Sequence, residues 1–139
     1  MPLPINVRSA MPGKRYLLDT NALVALLQGH QGLIELTKEA NWLGVSVVNV
    51  LEFLGFEGLT EPDRLLFTEL ISRLTVIDLN YSNAALMAHI TTLRKARTLK
   101  LPDAIVMASA VLHQAVVITN DAALLKLASS GSDYEALAY

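Results

Sequence analysis

Four acidic side chains, Asp19, Glu52, Asp103 and Asp121, each interrupt a mainly apolar stretch of this 139-residue chain. They stand in Tyr-Leu-Leu-Asp-Thr-Asn (16–21), Ser-Val-Val-Asn-Val-Leu-Glu-Phe (46–53), Leu-Pro-Asp-Ala-Ile-Val-Met-Ala (101–108) and Val-Val-Ile-Thr-Asn-Asp (116–121). A lone carboxylate in apolar surroundings is strongly disfavoured, so four of them call for a common explanation, and a shared divalent cation supplies one. The chain has no cysteine, and its three histidines, His30, His89 and His113, are scattered singly. The site is therefore one of hard oxygen donors, suited to Mg²⁺ or Mn²⁺ rather than zinc. Phosphodiester cleavage is a reaction that such sites commonly serve, because a bound ion acidifies water and stabilises charge on the attacking and leaving oxygens.

Taken singly, most of these acids also have a plainer reading. Asp19 and Asp121 can cap the helices that follow them, and Asp103 suits a helix first turn, where the dipole favours negative charge. Glu52, held between Leu51 and Phe53, has no such role. Capping and turn roles suffice for Asp63 and Asp78, Trp42 and Phe56 read as core or interface, and the single histidines are not expected to serve as ligands or general bases.

The elements that must position the acids follow from hydrophobic spacing. Tyr16 to Leu18, Leu43 to Val47, Thr75 to Ile77 and Ala115 to Ile118 read as short buried strands. Helices are expected over Asn21 to Gln28, stopped by Gly29, then Leu33 to Ala40 and Val48 to Phe56. Another opens at Thr60-Glu61-Pro62-Asp63 with a capping box and runs to about Leu74. Ser82 to Ala96, Pro102 to His113 and Asp121 to Ala128 complete the set. Short apolar strands alternating with helices indicate an α/β fold, with a central, mainly parallel sheet flanked by helices in three layers. Asp19 and Asp121 would lie beyond the carboxyl ends of strands, where such sheets place their ligands.

In this order and at these separations the chain resembles the PIN-domain ribonucleases, and among them the VapC toxins of VapBC toxin–antitoxin pairs. The residues that carry the resemblance are Asp-Thr-Asn (19–21), Ser46 with Glu52, Pro-Asp-Ala-Ile-Val-Met-Ala-Ser-Ala (102–110) and Thr-Asn-Asp (119–121), within about residues 16–128. The resemblance implies a PIN-like fold and Mg²⁺- or Mn²⁺-dependent hydrolysis of RNA, with water attacking phosphorus. Asp19, Asp103 and Asp121 would bind one or two ions, and Glu52 would bind a second ion or orient the water. Thr20, Asn21, Ser46, Thr119 and Asn120 would fix the carboxylates, with either Asn120 or Asp121 facing the metal. Two departures stand out: Asn49 occupies the place where many relatives have Thr, and Ala122 to Leu125 lacks the family's Asp-Phe ending. Neither is expected to touch a presumed ligand.

A single domain spanning 1–139 is expected, with ragged ends at 1–13 and 129–139 and a second possible start at Met11. The net charge of −2 argues against a broadly basic coat, yet Arg94, Lys95, Arg97 and Lys100 cluster ahead of Asp103. They are candidates for holding RNA phosphates, or simply a helix end that favours positive charge. The chain is 53% hydrophobic with a mean hydropathy of +0.41, which suits burial against a homodimer partner or the small antitoxin that the resemblance implies. No apolar run approaches the roughly 18 residues of a membrane span, so a cytoplasmic protein is expected. The alternatives are a non-toxin RNA-processing PIN nuclease and a non-catalytic PIN-fold interaction module. A phosphatase of the haloacid dehalogenase type would need a second aspartate where Asn21 stands, and a glycine-rich phosphate loop is absent.

Overall fold

The structure, a computed structural model, describes residues 14–97, 99–130 and 133–139, without the side chain of Arg97. The first thirteen residues, with the expected ragged start and Met11, lie outside the described residues. Five strands, β1 (Arg15–Leu18), β2 (Trp42–Ser46), β3 (Thr75–Ile77), β4 (Val116–Ile118) and β5 (Ala136–Leu137), form one sheet in the order β3-β2-β1-β4-β5. Every pairing is parallel. Seven helices are seen among the described residues: α1 (Thr20–Leu27), α2 (Gln31–Glu39), α3 (Val47–Leu54), α4 (Glu61–Ile71), α5 (Ala84–Arg97), α6 (Leu101–Leu112) and α7 (Ala122–Ala128). This is the PIN-like α/β architecture that the sequence predicts.

The strands are short because both faces of the sheet are buried, and alternate side chains feed different cores. Leu17 and Val117 point into a cluster with Leu86, Ile90 and Leu93 of α5 and the long apolar run of α6. Leu18 and Ile118 enter a second cluster with Leu23, Leu33, Phe53 and Phe67. In that cluster the Phe53 and Phe67 rings stack at 3.9 Å between centroids. Helix α6 is buried continuously from Ala104 to Ala110, which its small side chains permit. None of the described helices is long and apolar enough to cross a membrane.

Local signals set most boundaries. Thr60 and Asp63 form the expected capping box, and Gly29, at φ +86°, takes the chain out of α1. Helix α2 begins two residues before the expected Leu33, because His30 Nδ1 accepts the Leu33 N–H at 3.2 Å and caps it. Helix α5 starts after Asn83, whose Oδ1 accepts from Leu86 N at 3.1 Å. At the other end of the chain, part of the expected ragged stretch from 129 to 139 is ordered. Residues Ala136 and Leu137 add a fifth strand, with Val117 N donating to Glu135 O and Thr119 N to Leu137 O. The edge of β4 would otherwise leave these amides unpaired next to the cleft.

At the amino ends of the strands the single tryptophan, Trp42, stacks on His113 at 5.4 Å with the Arg15 guanidinium 4.6 Å from its ring centroid. A Cβ on Gly44 would meet the Trp42 ring at 2.2 Å. Gly44→Ala should therefore push the indole out of its stack, red-shifting the only tryptophan emission and lowering stability by about 1–3 kcal/mol in urea titration.

Candidate active site

The strand order changes direction of growth at β1 and β4, and the carboxyl ends of these two strands open into a cleft of about 590 Å³. Asp19, Thr20 and Asn21 follow β1, Thr119 to Asp121 follow β4, and all four predicted acids line or border the same space. Glu52 reaches it from the last turn of α3 and Asp103 from the first turn of α6. Tertiary structure thus gathers four acids that are far apart in sequence.

Asp19 is 7% exposed and caps α1. Its Oδ1 accepts from Thr20 N at 2.9 Å and Asn49 Nδ2 at 3.2 Å, and its Oδ2 from Thr119 Oγ1 at 2.7 Å and Asn21 Nδ2 at 3.5 Å. Four donors match the four lone-pair directions of a carboxylate. Burial nevertheless pushes the Asp19 carboxyl above the ordinary range, opposed by the Thr119 and Thr20 bonds and reinforced by Asp121 and Glu52. Asp103 is pushed up to about 6, first by burial and then by the charges of Asp121 and Asp19, against a smaller opposing effect of Lys100. The cleft carries more negative charge than its own donors neutralise.

The acids are not equally buried, which departs from the apolar setting read in the sequence. Glu52 is exposed, because α3 turns Asn49 and Phe53 inward and leaves Leu51 and Glu52 on the outer face. Its Oε1 accepts from Thr20 Oγ1 at 2.7 Å and from Asn49 Nδ2 at 3.0 Å. Asp121 caps α7, its Oδ1 accepting from Ala123 N at 2.9 Å and Leu124 N at 3.1 Å. It lines the cleft, whereas Asn120 turns its Oδ1 to the backbone N–H of Tyr139. Among the described residues, no group of three or more His, Asp or Glu side chains is arranged to hold a metal ion as it stands.

Thr20, Asn21 and Thr119 each bond an acid of the cleft. Ser46 does not: its Oγ caps α3 by accepting Val48 N at 3.2 Å. Asn49, expected to touch no ligand, instead bonds Asp19, Glu52 and Thr20 Oγ1, the last at 2.8 Å. It is 1% exposed, and its Oδ1 has no hydrogen-bond partner, an omission that costs about 1–3 kcal/mol. Its sequence signal was a polar residue three positions before Glu52 on the inner face of an apolar helix. Tyr139 was also missed. Its hydroxyl donates to Asn21 Oδ1 at 3.2 Å, its ring meets His30 edge-on at 5.3 Å, and it forms one wall of the cleft. Phe56, read as core or interface, lines the cleft at 45% exposure.

The basic cluster is partly diverted. Arg94 Nη1 donates to the Leu99 carbonyl at 2.7 Å, tying α5 to the start of α6. Lys95 and Lys100 are exposed, and Lys100 sits near enough to act on the Asp103 charge. None of the three lines the cleft. The Arg97 side chain lies outside the described residues.

Comparisons with known proteins bear on this geometry. A family model described as PIN domain matches residues 16–129. No curated protein matches the chain. Among solved structures, a toxin–antitoxin complex from Klebsiella pneumoniae superposes with a TM-score of 0.68 at 24% identity, covering 86% of this chain and 98% of that one. VapBC2 from Rickettsia felis, bound to a DNA fragment from its promoter, gives 0.71 at 19% identity, with 89% and 98% covered. DNA-bound VapBC from Salmonella typhimurium gives 0.71 at 17%, with 89% and 97% covered. At these identities the likeness to the solved structures is one of fold.

The raised Asp103 carboxyl predicts a pH dependence. Its folded value of about 6 exceeds the ordinary 3.8, so the fold holds the proton more tightly than the unfolded chain does. The stability this brings is full below about pH 4 and is lost as pH rises to about 6. In chelator, Asp103→Asn should match the wild-type melting temperature near pH 4 and exceed it at pH 7 to 8. Equal curves across that range would show that Asp103 carries no such strain.

Proposed function

The chain belongs to the PIN-domain family, and from that premise we propose that it is a Mg²⁺- or Mn²⁺-dependent endoribonuclease acting as the toxin of a toxin–antitoxin pair. The observation that carries the reading is the convergence of Asp19, Glu52, Asp103 and Asp121 on one cleft beyond the carboxyl ends of β1 and β4. Their donor set is all hard oxygen, and burial together with neighbouring negative charge presses Asp19 and Asp103 upward, a pressure that a divalent cation would relieve.

Asp19, Asp103 and Asp121 would hold the ion, and Glu52 either a second ion or the attacking water. Of the bonds that saturate Asp19, the Asn21 contact at 3.5 Å is the weakest and the one displaced at least cost. When bound, the cation supplies an acidified water and neutralises charge on the scissile phosphate. Glu52, exposed at the cleft mouth and held by Thr20 Oγ1, would bind the second ion or orient the water. Thr119 keeps the Asp19 carboxylate turned into the cleft, and Lys95 and Lys100 offer positive charge to the phosphates alongside.

An antitoxin partner fits the surface. An apolar groove of about 180 Å³, lined by Val24, Leu27, Phe53, Phe56 and Leu66, shares Val24, Gln28 and Phe56 with the acidic cleft. An amphipathic segment seated there could project a basic side chain onto the acids. Tyr81, 90% exposed, and Leu101 lie outside that lining and offer apolar surface for a homodimer. The solved neighbours described as toxin–antitoxin complexes support the same reading. A cytoplasmic location is part of the proposal, since RNA is the substrate. The rival reading, a non-catalytic PIN-fold module, draws on the finding that no three described acids are arranged to hold an ion as they stand.

Cleavage of a mixed pool of structured RNAs with Mg²⁺ or Mn²⁺ separates the two. Wild-type protein should cut, and chelator, Asp103→Asn and Glu52→Gln should each abolish or reduce cutting by at least about 100-fold. Cleavage that survives Asp103→Asn would place the chemistry elsewhere, and a wild type that cuts nothing would favour the non-catalytic module. Growth arrest on expression, relieved by a small neighbouring protein, distinguishes the toxin from an RNA-processing nuclease.

A further inference from the structure

Asn49 is a buried amide with two N–H hydrogens and three acceptors around them: Asp19 Oδ1, Thr20 Oγ1 and Glu52 Oε1. The Thr20 hydroxyl spends its own hydrogen on Glu52, so every atom facing the Asn49 nitrogen accepts. Turning the amide over would set Oδ1 against these oxygens, which fixes its orientation and leaves Oδ1 buried without a partner. An apolar side chain would suit this inward position of α3, beside Phe53, better for stability alone. What the amide achieves is to share its two hydrogens among three acceptors, linking two carboxylates from different elements through one nitrogen.

We propose that Asn49 is the positioning residue of the acidic cleft, holding Glu52 and Asp19 toward one another so that the carboxylates that would take the ion or ions are already oriented. The proposal rests on the cation-dependent reading above. Glu52 is exposed on the outer face of α3, and an unrestrained glutamate would lose side-chain freedom on binding an ion. The amide removes that loss in advance and places partial positive charge between two like charges. A hydroxyl in its place, as in Asn49→Thr, brings one hydrogen and can serve one carboxylate at a time.

The test is Mn²⁺ affinity, measured by the free-ion electron paramagnetic resonance signal, on wild type, Asn49→Ala, Asn49→Thr and a control, Leu93→Ala, destabilised in the other core. Folding of each variant is checked by circular dichroism. Asn49→Ala should weaken Mn²⁺ binding roughly 10- to 100-fold, the range for lost partners of metal ligands. Asn49→Thr should fall between it and wild type, and Leu93→Ala should bind as wild type does. Should Asn49→Ala not fold, Asn49→Thr binding at full wild-type affinity overturns the proposal. Wild-type affinity in Asn49→Ala overturns it while leaving the cation-dependent reading intact. A wild type that binds no Mn²⁺ overturns both.

Discussion

The structure turns on a carboxylate that the sheet buries at the end of a central strand. Asp19 follows Leu18 directly, and Leu18 lies between two parallel neighbours in the middle of the sheet. The Asp19 side chain is left 7% exposed, facing only the cleft. The fold answers with four donors, from Thr20, Asn21, Asn49 and Thr119, and each arrives on a different local cause. Thr20 and Asn21 open α1, Asn49 is the inward polar residue of α3, and Thr119 is fixed by the β1–β4 register that pairs Leu18 with Ile118. Saturation of Asp19 thus determines how α1, α3 and β4 meet.

The same bonds create the tension from which function is inferred. They satisfy hydrogen-bonding capacity but bring no full positive charge, so burial and mutual repulsion still raise Asp19 and Asp103. Asn49 shows the cost most directly, since the orientation that serves the carboxylates orphans its own oxygen. A fold selected for stability alone would not keep this arrangement in a buried position. Violations of local rules that gather in one cleft, while the cores around them are regular, are the pattern expected of a site.

Closure of the cleft depends on the other end of the chain. Tyr139 reaches back to Asn21 and Asn120 and forms a wall of the acidic space. On the opposite side Phe56 and Leu66 continue the cleft into an apolar groove. Charge and exposed apolar surface therefore adjoin, as the proposed RNA substrate and protein partner would require.

Sequence by itself determined the alternation of strands and helices, the parallel sheet and the four acids. These rest on local signals: apolar runs such as Val116 to Ile118, the Thr60–Asp63 box, and carboxylates set in apolar segments. It did not disclose β5, because two residues are too few to show a period, and a strand of that length exists only through pairing with β4. Nor did it disclose that Glu52 is exposed, that Ser46 only caps a helix, or that Arg94 is spent on the Leu99 carbonyl. Each of these follows from which way a side chain turns once its element is packed. The role of Tyr139, and that of Asn49 toward Asp19, were decided only by tertiary structure, for a hydrogen bond across dozens of residues leaves no spacing in the chain from which to read it.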